Sequence, residues 1–137
     1  VSERLPDDYR PTEDEPFMNP KQLEYFRRRL LSWREQLLKD STDTIHHLQT
    51  DLQAESDIVD CANNETERAI ELRARDRERK LINKIEDALR RIEEGSYGFC
   101  EETGDPIGLK RLEARPIATL SLEAQEQHER RERLQRD

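Results

Sequence analysis

Glu55-Ser56-Asp57-Ile58-Val59-Asp60-Cys61-Ala62-Asn63-Asn64 breaks the helical pattern between two long, charge-laced runs. Two helical runs of similar length joined by so short a segment are expected to fold back as an antiparallel pair, which makes 55–64 the far tip. Two carboxylates, Asp57 and Asp60, stand there beside Ile58, Val59 and Cys61, apolar or small side chains that a solvated turn does not need. The carboxylates read either as helix caps and turn formers or as groups that act inside a partner.

The first run opens at Phe17-Met18-Asn19-Pro20-Lys21-Gln22. Asn19 is a good N-cap, Pro20 suits the first helical position, and Gln22 falls where a capping box takes an amide. Leu23, Phe26, Leu30, Trp33 and Leu37 then step by three and four into one stripe, which Ile45, Leu48 and Leu52 resume. Lys39 to Thr44 is polar between them, a stutter where a supercoil weakens. A helix from Asn19 to about Ala54 is roughly 50 Å long. The second run is expected to start near Asn64 to Thr66 and to end at Gly95, with Ile70, Ala74, Leu81, Ile85, Ala88 and Ile92 as its seam and Leu72, Ile82 and Leu89 alongside. Arg77 takes a seam position. Around it, residues 73–80 are nearly all charged, and read as a solvated face with intrahelical ion pairs or as a contact surface for a partner or an anion.

All four glycines lie in Gly95-Ser96-Tyr97-Gly98-Phe99-Cys100-Glu101-Glu102-Thr103-Gly104-Asp105-Pro106-Ile107-Gly108. That composition predicts tight turns and short strands, a β-knuckle at the base of the hairpin. A last helix runs from Ser121 to about Gln135, with Ser121 as cap and Glu123 in its first turn. The fold expected is mainly α: an acidic lead over 1–18, a long antiparallel coiled-coil hairpin over 19–94 with its tip at 55–64, and a degenerate zinc-knuckle region with a C-terminal helix over 95–137.

Composition bounds the function. Charged residues make up 41% of the chain and hydrophobic ones 32%, which suits a narrow two-helix seam better than a large core. A formal net charge of -8 argues against wrapping DNA, since backbone affinity rests on Lys and Arg. There is no long apolar run and no apolar signal core at Val1-Ser2-Glu3-Arg4-Leu5-Pro6, so a cytoplasmic chain without a membrane segment is expected. Zinc is not expected. A four-cysteine site needs thiols that the knuckle lacks: Cys100 stands alone, with Thr103, Ser121 and Ala124 at the partner positions. His46, His47 and His128 are taken as surface residues, and Cys61 has no nearby Lys or Arg to lower its pKa. No phosphate loop, nucleophile elbow or zinc-protease pattern is present, and no catalytic residue is assigned.

Several segments jointly resemble the DksA-type transcription factors, which are similar to the Gre factors in architecture. They are Phe26-Arg27-Arg28 with Trp33-Arg34 and Gln36-Leu37, Asp57-x-x-Asp60-x-Ala62, Asp76-Arg77-Glu78-Arg79-Lys80-Leu81-Ile82 with Lys84-Ile85, Tyr97-Gly98-x-Cys100, and Arg111-Leu112-Glu113-Ala114-Arg115-Pro116. The resemblance implies a regulator that is not an enzyme, acts as a monomer and binds RNA polymerase rather than DNA. Its arm would enter the secondary channel and, with ppGpp as co-regulator, alter open-complex stability. Asp57, Asp60 and Ala62 would form the functional tip and Arg77 a polymerase contact. Leu81, Lys84 and Arg115 would line the ppGpp site.

The common family form has four cysteines on zinc, of which this chain keeps Cys100, and it places a Lys at Gln125; Gln keeps a donor but loses the charge, so weaker ppGpp synergy is expected. Two other readings fit the residues less well. One is a Gre-like cleavage factor whose Asp57 and Asp60 help hold a metal in the polymerase. The other is a coiled-coil adapter that needs none of the tip residues.

Overall fold

The computed structural model describes residues 5–54 and 58–136, with side chains described over 5–41 and 65–135. Among the described residues there are four helices: α1 (Pro20–Ala54), α2 (Ile58–Glu94), α3 (Leu109–Ala114) and α4 (Leu122–Arg136). The short strands expected in the glycine-rich segment reduce to one isolated antiparallel bridge, Phe99 to Pro106. None of the described helices is long and apolar enough to cross a membrane.

The helix starts follow from their caps. Asn19 Oδ1 accepts the Gln22 backbone N–H at 2.8 Å, and Gln22 Oε1 accepts the Met18 N–H at 2.8 Å. The first bond is the N-cap half of a capping box; the second reaches one residue further back than the box, to the residue before the cap, while the Asn19 N–H donates to the Pro16 carbonyl at 3.3 Å. At α4, Ser121 Oγ accepts the Ala124 N–H at 3.2 Å. The second helix begins earlier than its sequence pattern predicts, at Ile58 rather than near Asn64. Asn63 and Asn64 cost a helix interior only about 0.7 kcal/mol each relative to Ala, and no Gly or Pro stands nearby to stop it.

The chain forms two compact units, one of Val1–Leu30 with Asp87–Asp137 and one of Leu31–Glu86. The first holds most of the buried side chains. Phe26, Leu30, Ala88, Tyr97, Cys100, Ile107, Leu109, Leu112, Ile117, Ala118 and Ala124 are all buried. The Phe26 and Tyr97 rings lie 5.7 Å apart, and the Tyr97 hydroxyl donates to the Pro116 carbonyl at 2.8 Å. Burial pushes the Tyr97 hydroxyl well above its ordinary pKa, so it stays a donor. Arg91, almost buried, closes one side with a 3.2 Å ion pair to Glu101.

The acidic lead is tied into this unit through Glu15. Glu15 Oε2 accepts the Tyr9 hydroxyl at 2.6 Å, Asn19 Nδ2 at 3.2 Å and Gln22 Nε2 at 3.5 Å, while Gln22 Nε2 also donates to the Thr12 carbonyl at 3.2 Å. Tyr9 sits edge-on to Tyr25 at 6.2 Å. Burial and the Glu15 contact push the Tyr9 hydroxyl up to about 12. The Tyr9 hydrogen bond, with those from Asn19 and Gln22, holds the Glu15 carboxyl below the usual range. The ionised form is thus favoured by folding. Its contribution is complete above the unfolded carboxyl's pKa, about 4.3, and fades as pH falls through the lower folded value. Thermal melts at pH 6.5 and 3.5 check this: the native chain should lose more stability across that step than Glu15→Gln does, and equal losses would place the acid sensitivity elsewhere.

In the second unit α1 and α2 pack side by side. Ile85 is fully buried, while Leu81 and Ile82 are partly covered. The α2 seam loosens toward its start: Ile70 is 59% exposed, Leu72 is 52% exposed and Ala74 is exposed. On α1, Leu38 is 50% exposed beside the polar Lys39, Asp40 and Ser41. An open groove of about 400 Å3 lies between Leu38 and Ser41 on α1 and Leu72, Arg75, Asp76, Arg79 and Ile82 on α2.

Candidate functional site

Arg77, Leu81 and Lys84 follow one another on α2 at steps of four and three, so a single face of the helix presents all three. Arg77 and Lys84 are exposed and Leu81 is partly covered. Neighbouring charges are already matched: Asp76 bridges Arg79 at 2.6 Å and Lys80 at 3.2 Å. Hydrogen bonds from Lys80 and Arg79 hold its carboxyl below the usual range. The ion-pair reading of 73–80 holds for Asp76, Arg79 and Lys80, while Arg73 and Arg77 have no ion partner among the described residues.

Arg115 belongs to the other unit. It follows α3 as its C-cap, with its N–H on the Arg111 carbonyl at 2.7 Å, and its side chain is exposed. Gln125 lies in α4 with its amide on Glu129 at 3.2 Å. Of the tip residues, Asp57 lies outside the described residues. Asp60 and Ala62 fall near the start of α2, with side chains outside the described residues, as are those of Cys61, His46 and His47.

Cys100 is buried inside the glycine-rich turn. Its N–H donates to the Asp105 carbonyl at 2.8 Å, and its carbonyl accepts the Gly104 N–H at 2.9 Å. Burial pushes the thiol up, but hydrogen bonds from the Thr103 hydroxyl and from the backbone of Ser121, Thr103 and Glu102 outweigh it and draw it down to about 6. The sequence reading of Cys100 as a lone thiol did not extend to these donors; its position two residues after Gly98 in a turn was the available signal. The groove of the second unit was also missed, although the polar stretch Lys39 to Thr44 marks where it opens.

A family model described as DnaK suppressor protein DksA, N-terminal domain, matches residues 22–92. A second, prokaryotic dksA/traR C4-type zinc finger, matches residues 95–130. The chain is 65% identical over 130 residues to the RNA polymerase-binding transcription factor DksA of Caulobacter vibrioides strain NA1000, covering 95% of this chain and 92% of that protein. It is 45% identical over 125 residues to that of Escherichia coli K12, covering 91% and 83%. The solved structure of transcription factor DksA2 from Pseudomonas aeruginosa superposes with a TM-score of 0.81 at 45% identity, covering 85% of this chain and 90% of that one.

The zinc-finger match corrects one expectation. With residues 95–130 in a C4-type zinc-finger family, the reading that zinc has no place here no longer stands. The count of thiols misled because it weighed four ligand positions, while the match spans the whole turn and the helix after it. The donors themselves do not make a four-thiolate centre: Cys100 is the one cysteine of the segment, and its sulfur is engaged by Thr103, Ser121 and Glu102. No group of three or more His, Cys, Asp or Glu side chains able to hold a metal occurs among the described residues. No step below runs through a metal.

Proposed function

Because the chain belongs to the DksA family, we propose that it binds RNA polymerase and regulates transcription, with its two long helices as an arm that enters the secondary channel. The observation that carries this reading is the exposed α2 face with Arg77 and Lys84, in a chain 65% identical to an RNA polymerase-binding transcription factor. Arg77 contacts the polymerase. Leu81 and Lys84, together with Arg115, hold ppGpp, whose phosphates gain charge-assisted bonds from the two cations. Asp57 and Asp60, with Ala62, act at the tip, where carboxylates alter the placement of charged ligands and template electrostatically. The protein is a monomeric cytoplasmic regulator, not an enzyme, and its net charge of -8 disfavours a direct grip on DNA.

Open-complex lifetime at a ribosomal RNA promoter tests this, with polymerase from the same organism and with or without ppGpp. The native chain should shorten the lifetime, ppGpp should shorten it further, and Asp60→Asn should abolish most of the effect while still binding polymerase. Gln125 makes the ppGpp enhancement modest. An unchanged lifetime despite binding, with release of short 3′ fragments from backtracked complexes, would replace this reading with transcript cleavage.

A further inference from the structure

The backbone that carries Arg115 is held on both sides by donors from distant parts of the first unit. Arg29 on α1 donates from Nη1 to the Glu113 carbonyl at 3.1 Å, and the Tyr97 hydroxyl donates to the Pro116 carbonyl at 2.8 Å. Between these two anchors the chain leaves α3 at Arg115, with φ -142° and ψ 87°. The Arg115 side chain is exposed and has no ion partner among the described residues. A cation on an anchored backbone has less freedom to lose when it meets an anion than one on a frayed helix end.

Arg29 is itself committed to this contact. It is partly covered, its guanidinium carbon lies 5.8 Å from the centre of the Tyr25 ring, and Tyr25 stands edge-on to Tyr9 of the acidic lead at 6.2 Å. A guanidinium over an aromatic ring is attracted to it, and a charged donor makes the stronger kind of bond to a carbonyl. The lead residues Asp7, Asp8 and Tyr9 line the same cavity as Arg29 and Glu113, so the acids face Arg29 across it. From these observations we propose that Arg29 is a positioning residue for the anion-binding guanidinium of Arg115: by holding the Glu113 carbonyl it fixes the end of α3 and so sets where Arg115 meets the phosphates of ppGpp. This rests on the ppGpp reading and adds to it a residue of α1 that touches no ligand. Tyr97 anchors the other side, but it is buried in the core, so its removal would disturb far more than Arg115.

The test is a ppGpp titration of open-complex lifetime, with polymerase from the same organism and saturating full-length protein: native, Arg29→Met, Arg29→Lys and Arg115→Ala. Arg29→Met keeps the stem and loses the donors. It should raise the half-maximal ppGpp concentration by about fivefold, the worth of one hydrogen bond, while polymerase affinity and the ppGpp-free shortening stay native. Arg29→Lys keeps a cationic donor and should recover most of the loss. A native half-maximal concentration in Arg29→Met, with that of Arg115→Ala raised, overturns the positioning role and spares the ppGpp reading. Arg115→Ala titrating like the native chain, or a native chain that ignores ppGpp, overturns both. If the polymerase affinity of Arg29→Met falls along with its ppGpp response, or if Arg29→Lys recovers nothing, Arg29 is a general prop of the fold and the proposal fails.

Discussion

Phe26→Ala should lower the unfolding free energy by about 3–5 kcal/mol, the range for a fully buried aromatic cut back to a methyl, and the melting temperature by roughly 10–20 °C. Phe26 has no exposed surface and touches rings on two sides, Tyr25 at 5.1 Å and Tyr97 at 5.7 Å between centroids. Removing it leaves a cavity whose walls come from the start of α1 and from the glycine-rich turn. Native stabilities of ordinary domains are about 5–15 kcal/mol, so this single change takes a large share of the total. Circular dichroism melts of Phe26→Ala and Phe26→Leu check it. A graded loss, smaller for Leu, is expected; a native-like melt for Phe26→Ala would mean that this ring does not hold the first unit together.

Gly98→Ala should cost about 2–4 kcal/mol, for two separable reasons. Its φ of 91° is one that L side chains rarely adopt, at a cost of roughly 1–2 kcal/mol. An added Cβ would also lie 2.8 Å from Met18 Cγ, 3.0 Å from Met18 Sδ and 3.3 Å from Phe17 Cε2. Overpacking of that kind costs about 1–3 kcal/mol. Met18 has little freedom to retreat, because it sits at φ 55° with its N–H held by Gln22. Gly104 supplies the control: its φ is 77°, yet an added Cβ there meets nothing within 4 Å. Urea denaturation of the two alanine variants should show Gly98→Ala clearly the worse, and equal losses would remove the packing contribution and leave only the backbone one.

What the chain discloses by itself is mostly local. Asn19, Gln22 and Ser121 announce their helix starts because a cap needs only residues three or four apart, and each makes its bond in the structure. The stripe Phe26, Leu30, Ile85 and Ala88 is legible for the same reason, and all four are fully buried. Less legible is anything that joins distant segments. The acidic lead carries no periodic pattern in its prolines and acids that would place it, yet Glu15 gathers partners four, six and seven residues away and ties it to the start of α1. Ile70 reads as a seam residue and Leu72 as its flank, and both are more than half exposed in the structure. The zinc-finger frame of the glycine-rich turn is legible too, and the match over 95–130 agrees with it; what the thiol count got wrong was the exclusion of zinc, drawn from Thr103, Ser121 and Ala124 at three of the four thiol positions.

The long-range closure of the first unit also bears on synthesis. Phe26 needs Tyr97, and Arg29 donates at 3.1 Å to the carbonyl of Glu113, 84 residues further along. At ribosomal rates of about 5–20 residues per second, the start of α1 emerges several seconds before those partners exist. During that interval Phe26 and Leu30 have no core to enter, and the nascent chain displays them on a lone helix. Folding of this unit is therefore postponed until the segment around Glu113 has cleared the exit tunnel, which makes the early chain a client for any holdase that greets apolar stripes at the ribosome.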